Sequence, residues 1–329
     1  MVKGLKMAAV MVLGANGRLG HAAVQAFAAA GWQVWAQARQ APRQPLPKGV
    51  TSVQADALDL PALRAAAPRL DLIVNALNPH YTQWDALVPP LTSAVIQLAE
   101  ATGGTIMLPG NVYNFGNQLP PVLTEQTPFA DTNPKAGQRI RLEAALADAA
   151  RRGVRSIVVR AGDFLGDSGT WLDLGLGRAL KAGKVTHLAP EDVPHAWAYL
   201  PDLARVFVAV AERRAQLPAH AVLHYAGLTL TGAELHRLIE GAMGKPLQRA
   251  SFPWWLMKLI APVAAMPRAL LEMRHLWLRP HRLDEARLVQ LIGSVPHTPA
   301  EQVLRDSLAQ LPGVTVPGTP VRSATRSAA

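Results

Sequence analysis

Gly14, Gly17 and Gly20 stand three residues apart in the run Leu13-Gly-Ala-Asn-Gly-Arg-Leu-Gly20, directly after an apolar stretch ending at Leu13. At a strand-to-helix junction this spacing has a defined chemistry. The turn is tight, backbone N–H groups open towards a pyrophosphate, and the next helix presents its positive N-terminal end. Asn16 to Gly20, with Arg18 and Leu19 between the glycines, therefore reads as a dinucleotide phosphate loop. No Gly-Lys-Ser/Thr follows, which excludes a Walker A loop. A site for NAD usually carries an acid at the end of the second strand. Here that stretch is Gln37-Ala-Arg-Gln40. Arg39 at the strand end and Arg18 in the loop form a pair suited to a 2′-phosphate, so NADP is expected over NAD.

Other chemistry-bearing residues are more scattered. His80 follows a predicted strand in Asn-Pro-His-Tyr81, and His195 lies in Val-Pro-His-Ala-Trp197. Either has access to a substrate cleft, although a lone loop histidine is more often structural or solvated. Asp163 follows a strand end at which a substrate loop would begin. No HxxxH or HExxH pair occurs on a helix, and cysteine is absent, so no metal site is expected. Trp255, Leu259, Val263, Met266, Leu270, Met273 and Trp277 recur at helical spacing, broken by Pro262 and Pro267. The stripe fits a packed helical pair. It also fits a lid over an apolar ligand, with Trp255 as a substrate contact.

The elements that must position these groups alternate. Ala8–Leu13, Gln33–Ala38, Thr51–Gln54, Asp71–Leu77, Thr105–Leu108 and Val154–Arg160 read as strands. Arg18–Ala30, Leu60–Ala67, Asp85–Thr102 and Gln138–Arg152 read as helices. This rhythm implies an α/β doubly wound parallel Rossmann sheet, of order 3-2-1-4-5-6 with a late strand near Val222. Residues 1–160 form the predicted dinucleotide domain. Residues 161–311 form a smaller, mostly helical substrate lobe, in which Thr231-Gly-Ala-Glu234 is a capping box. Residues 312–329, rich in Pro, Gly, Ser and Thr, read as a disordered tail.

The 329 residues are half hydrophobic and 17% charged, with a net charge of +10. That composition excludes global disorder and favours anionic partners. The basic residues are scattered and no nucleic-acid motif appears, so nucleic acid is not an expected partner. The apolar runs at Met7–Leu13 and Trp254–Ala265 are too short to span a bilayer. A cytoplasmic protein with a small-molecule substrate and no stable membrane insertion is expected, and a homodimer is compatible with the reading.

With these residues in hand, the chain resembles the extended or atypical short-chain dehydrogenase/reductase family, including NAD-dependent epimerase/dehydratase-like proteins. Val12 to Gly20 is similar to its cofactor loop. Ala55-Asp56-Ala57 resembles its adenine-contacting motif, and Asn75-Ala76-Leu77 the stretch beside the nicotinamide ribose. Asn111-Val-Tyr113, Trp197 to Asp202 and Leu291 to Pro299 resemble later family segments. The resemblance spans about residues 8 to 311 and implies cofactor roles for Asp56, Ala57, Asn75, Ala76, Leu77 and Asn111.

The catalytic positions depart from the family. Its enzymes use a Ser or Thr after the fifth strand and a Tyr-x-x-x-Lys on the next helix. Leu108-Pro-Gly-Asn111 has no hydroxyl, and the helix reads Lys135-x-x-x-Arg139. The resemblance then leaves Lys135 and Tyr113 as candidate acids and Arg139 as a fixed charge. The expected activity is that of an NAD(P)-dependent oxidoreductase or epimerase-like enzyme with a non-standard site. The alternative is a non-catalytic NADP-binding sensor, as in NmrA-like proteins.

Overall fold

The short apolar runs of the first half become parallel strands because helices cover both faces of the sheet they form. The structure is a computed structural model describing residues 7–167 and 169–318. In chain order it begins with β1 (Ala9–Leu13), α1 (Arg18–Ala29), β2 (Gln33–Ala38), β3 (Thr51–Gln54) and α2 (Leu60–Ala66). Next come β4 (Leu72–Asn75), α3 (Trp84–Thr102), β5 (Thr105–Gly110), β6 (Val122–Leu123), α4 (Pro134–Ala150) and β7 (Ser156–Arg160). Seven parallel strands run β3-β2-β1-β4-β5-β7, closed by a late strand at His220–His224 beside β7. This is the doubly wound order expected from the sequence.

The sheet is buried on both faces. Met11, Leu13, Ile73, Ile106 and Val158 pack against one helical layer, and Val10, Val12, Val74, Met107 and Val159 against the other. One change in bounds matters for the site. Helix α4 begins at Pro134 rather than near Gln138, because Asn133 accepts the Ala136 N–H (2.9 Å) and proline occupies the first turn. Lys135 is thereby placed on the helix.

Beyond β7 lie β8 (Asp163–Leu165), β9 (Lys184–His187), β10 (His195–Tyr199), α5 (Leu200–Glu212), β11 (the late strand), β12 (Leu228–Leu230) and α6 (Gly232–Met243). The predicted capping box opens α6: the Glu234 carboxylate accepts the Thr231 N–H (2.8 Å), and Thr231 Oγ1 accepts the Glu234 N–H (3.2 Å). The chain continues through β13 (Gln248–Ser251), α7 (Trp254–Ile260), α8 (Ala265–Met273), α9 (His275–Leu278), β14 (Arg282–Leu283), α10 (Ala286–Ile292) and α11 (Ala300–Ala309). The lobe is mostly helical, but it also holds two small sheets, β8-β10-β12 and β9-β13, and pairs β14 with β6 of the first half. Its own core gathers Leu165, Leu176, Trp197, Ile239 and Leu304.

Residues 312–318, read from sequence as the start of a tail, continue along this lobe. Val316 is buried and Arg305 donates to the Pro317 carbonyl at 3.0 Å. The rest of that segment, 319–329, lies outside the described residues. Among the described residues no helix is long and apolar enough to cross a membrane.

Candidate functional site

The glycine loop has the geometry its spacing implied. Gly14 has a φ of +77°, and a Cβ there would stand 2.9 Å from the Ala76 carbonyl oxygen. A Cβ on Gly20 would stand 2.1 Å from Gly14 O, so the first turn of α1 packs directly on the loop. No side chain caps α1 and its first turn carries no acid. The leading N–H groups, on Arg18, Leu19 and Gly20, therefore face outward as donors for an anion. These features fit a bound pyrophosphate.

A residue that the sequence reading passed over holds this loop. Gln37, buried in β2, accepts the Gly14 N–H (2.9 Å) and donates to the Ala55 carbonyl (2.7 Å). Asn16 shapes the next loop, donating to Gln40 O and Ala41 O and accepting the Arg43 N–H (3.1 Å). Asp56 accepts the Leu58 N–H (2.9 Å) beside buried Ala57, and Asn75 accepts the Leu77 N–H (3.3 Å). Arg39 is exposed at the end of β2. Arg18 leads the first turn of α1. Its guanidinium lies 3.0 Å from where a Cβ on Gly169 would stand, and its charge reaches the Tyr81 phenol.

Around Trp84, at the start of α3, two phenols and two cations converge. The Tyr113 and Tyr81 hydroxyls are 2.7 Å apart. Lys135 Nζ donates to the Tyr81 carbonyl at 2.5 Å and stands 5.0 Å from the Trp84 ring centroid. The Arg139 guanidinium covers the same ring at 4.3 Å. Lys135 and Arg139 are one helical turn apart, which is why both reach this face. Tyr113 is aimed by Asn111, whose side chain accepts the Tyr113 N–H (3.0 Å).

Burial shifts every titratable group in this cluster. It raises the Tyr81 pKa, with the Tyr113 hydrogen bond and Arg139 pulling the other way. It raises Tyr113 well above an ordinary phenol, and Tyr81 and Asp163 add to the effect. Burial lowers Lys135, partly offset by Glu272 and Asp85, and it lowers Arg139.

Two candidates from the substrate lobe meet at the same place. Asp163 Oδ2 is 2.9 Å from His195 Nε2, and His195 Nδ1 donates to Leu276 O at 3.3 Å. The imidazole lies flat on Trp277, with centroids 4.1 Å apart. Asp163 is the acid whose field reaches both phenols.

Two other candidates stay outside. His80 is exposed, with Nδ1 2.8 Å from Thr82 Oγ1. Its neighbour Tyr81 is the residue that enters the site. Trp255 is 70% exposed, so the stripe is not one continuous core. Met273 and Trp277 of the same stripe are buried, because α7 and α8 are separate helices. Among the described residues no group of His, Cys, Asp and Glu is arranged to hold a metal. The residues missed from sequence, Tyr81 and Trp84, left one local signal. Tyr81 and Trp84 are three apart at a helix start, the spacing that puts two rings on one face.

Comparison with known proteins agrees with this geometry. Residues 14–123 match the family model described as NAD(P)H-binding. No curated protein matches the sequence. Among solved structures, the UDP-glucose-4-epimerase of Stenotrophomonas maltophila, with bound NAD and formylated UDP-arabinopyranose, superposes with a TM-score of 0.74. It is 14% identical, over 92% of this chain and 97% of that one. The Bordetella bronchiseptica enzyme WbmH, in complex with NAD+, gives 0.72 at 17% identity over 92% and 98%. UDP-glucose 4-epimerase from Brucella ovis, in complex with NAD, gives 0.72 at 15% identity over 91% and 97%. Residues 14–123 thus match an NAD(P)H-binding family, and the chain as a whole has the fold of these solved structures.

Proposed function

We propose that the protein is an NADP-preferring oxidoreductase or epimerase-like enzyme acting on a small carbonyl or hydroxyl compound. In this reading a phenol pair from two loops replaces the missing helix tyrosine. The observation that carries it is the 2.7 Å contact between the Tyr81 and Tyr113 hydroxyls, beside Lys135 and Arg139. A bound reduced nicotinamide supplies hydride to an electrophilic carbon. The residues of the chain supply and steady the proton. Both phenols are held protonated by burial, the state a general acid needs. Tyr81 is the less buried of the two and serves as donor to the substrate oxygen, with Tyr113 behind it as the next proton. Arg139 stays charged and stabilises the phenolate left behind. Lys135, tied to the Tyr81 carbonyl, fixes the turn that presents Tyr81. Arg39 reads the 2′-phosphate.

A screen of carbonyl compounds for NADPH oxidation tests the reading. Tyr81→Phe should lower kcat by about 10²–10⁴-fold while NADPH affinity stays nearly unchanged. Arg39→Asp should cut the preference for NADPH over NADH by about ten- to a hundredfold in calorimetry. Equal affinities in the wild type would remove the NADP assignment. Tight NADPH binding with no turnover on any substrate would favour the sensor.

A further inference from the structure

Ten large apolar side chains stand exposed among the described residues, and three of them belong to one short stretch. Trp255, Leu259 and Val263 are 70%, 69% and 89% exposed. They lie four residues apart along α7 and the turn after it, so they form a single stripe. The adjacent residue explains why the stripe faces outward. Trp254 Nε1 donates to Leu188 O at 2.8 Å, its ring packs on Phe252, and the Arg274 guanidinium lies 5.2 Å from its ring centroid. With Trp254 fixed to the lobe, Trp255 must point away from it.

The rim of the stripe is basic. Lys258 is exposed within α7, and Arg268 donates to the carbonyls of Ala261 and Pro262 at 3.4 and 3.3 Å, which sets a cation beside Val263. From 252 to 282 the chain has Lys258, Arg268, Arg274, Arg279 and Arg282 against one acid, Glu272. The whole protein carries a net charge of +10.

We propose that α7 and the turn at 261–263 dock the protein on the surface of an anionic lipid bilayer. Trp255, Leu259 and Val263 would enter the headgroup boundary, and Lys258 and Arg268 would lie among the phosphates. An apolar wedge with a tryptophan and a basic rim is the chemistry of interfacial helices. Seven residues are far too few to span, so the contact is a surface one. A second copy of the chain fits less well. A two-fold contact through this stripe would bring two basic rims together, with Glu272 as the one acid of each segment. Three exposed side chains are also few against the roughly 20–30 residues a side of a stable interface.

The docking surface and the candidate site share a lobe. Helix α8 packs on the turn that carries Tyr81, and Leu276, just after α8, accepts from His195. A protein seated through α7 would thus hold its site beside the bilayer. The inference does not depend on turnover.

Co-sedimentation of the full chain with vesicles tests it. Vesicles of phosphatidylcholine with about one-third phosphatidylglycerol should bind at least about tenfold more protein than phosphatidylcholine alone, and added salt should weaken the binding. Trp255→Gln with Leu259→Gln should lose about tenfold or more of this binding. Because both side chains are exposed, the melting temperature and NADPH affinity should stay unchanged. Lys258→Glu with Arg268→Glu should erase the preference for anionic vesicles. Failure of the wild type to sediment with anionic vesicles would overturn the proposal, and so would full binding by the double glutamine variant. Self-association in light scattering that the glutamine variant abolishes, without vesicle binding, would assign the stripe to a second copy instead and equally overturn it.

Discussion

At the residue scale, the fit of a cofactor depends on atoms that are absent. Gly20 leaves no room for even one methyl, because a Cβ would meet Gly14 O at 2.1 Å and Gly14 C at 2.8 Å, both backbone atoms. Backbone cannot rotate aside as a long side chain does, so the loop itself must move. Gly20→Ala should therefore weaken NADPH binding by about tenfold or more, as read by calorimetry. Gly241, on the exposed side of α6, is the matching control, since a Cβ there meets nothing within 4 Å. Gly241→Ala should leave binding intact and stabilise the helix by roughly 0.5–1 kcal/mol. Equal NADPH affinity in the two variants would mean that the loop does not cradle the phosphates.

At the scale of elements, one buried ion pair fixes the loop that presents Tyr113. Arg160, at the end of β7, meets Glu143 of α4 at 2.7 Å, and both are nearly inaccessible to solvent. The same guanidinium donates to the Asn111 carbonyl and to Asn114 Oδ1. Strand, helix and loop are thus tied at a single side chain. Removing the carboxylate would leave a buried guanidinium without its counter-charge. Glu143→Ala should cost about 3–5 kcal/mol in denaturant unfolding, whereas an exposed pair such as Arg151–Asp148 should cost less than about 1 kcal/mol. A loss for Glu143→Ala no larger than for Asp148→Ala would show that the tie is not structural.

For the molecule as a whole, buried histidines set the response to acid. Burial holds His281 down at about 3, and the neighbouring His195 pushes the same way. Burial lowers His224 to about 4, with Arg160 adding to it. In both rings Nδ1 donates to a carbonyl, of Arg279 and Leu123 respectively, while Nε2 is buried without a hydrogen-bond partner. A second proton would have no acceptor. In the unfolded chain each ring titrates near 6.5. Between that value and the depressed one, the unfolded state binds more protons, so stability is full above about pH 6.5 and falls as pH drops. The slope should exceed about 1 kcal/mol per pH unit for each histidine near pH 5, followed by chemical denaturation, and fade for His224 as pH nears 4. His224→Gln with His281→Gln should flatten the profile over that window. An unchanged slope would place the acid sensitivity elsewhere.

What the sequence determined by itself was local in origin. The glycine spacing, the alternation of apolar runs with helices and the Thr231–Glu234 capping box all depend on neighbours within a few positions. They were legible down to the strand order of the sheet, which short right-handed crossovers leave little freedom to vary. The early start of α4 was equally local, an asparagine cap and a proline at 133 and 134, but alanine-rich periodicity hid it. Tertiary structure alone decided the face of the candidate site. Tyr81, Tyr113 and Lys135 come from three separate segments, and their meeting at Trp84 depends on how α3 and α4 pack against the ends of β4 and β5. The fate of Arg18 and of the Trp255 stripe was decided the same way. Residue type and spacing give each side chain a reach, but the packing of other elements chooses its direction. For that reason Arg18 lies near Gly169 and Trp255 stands at the surface.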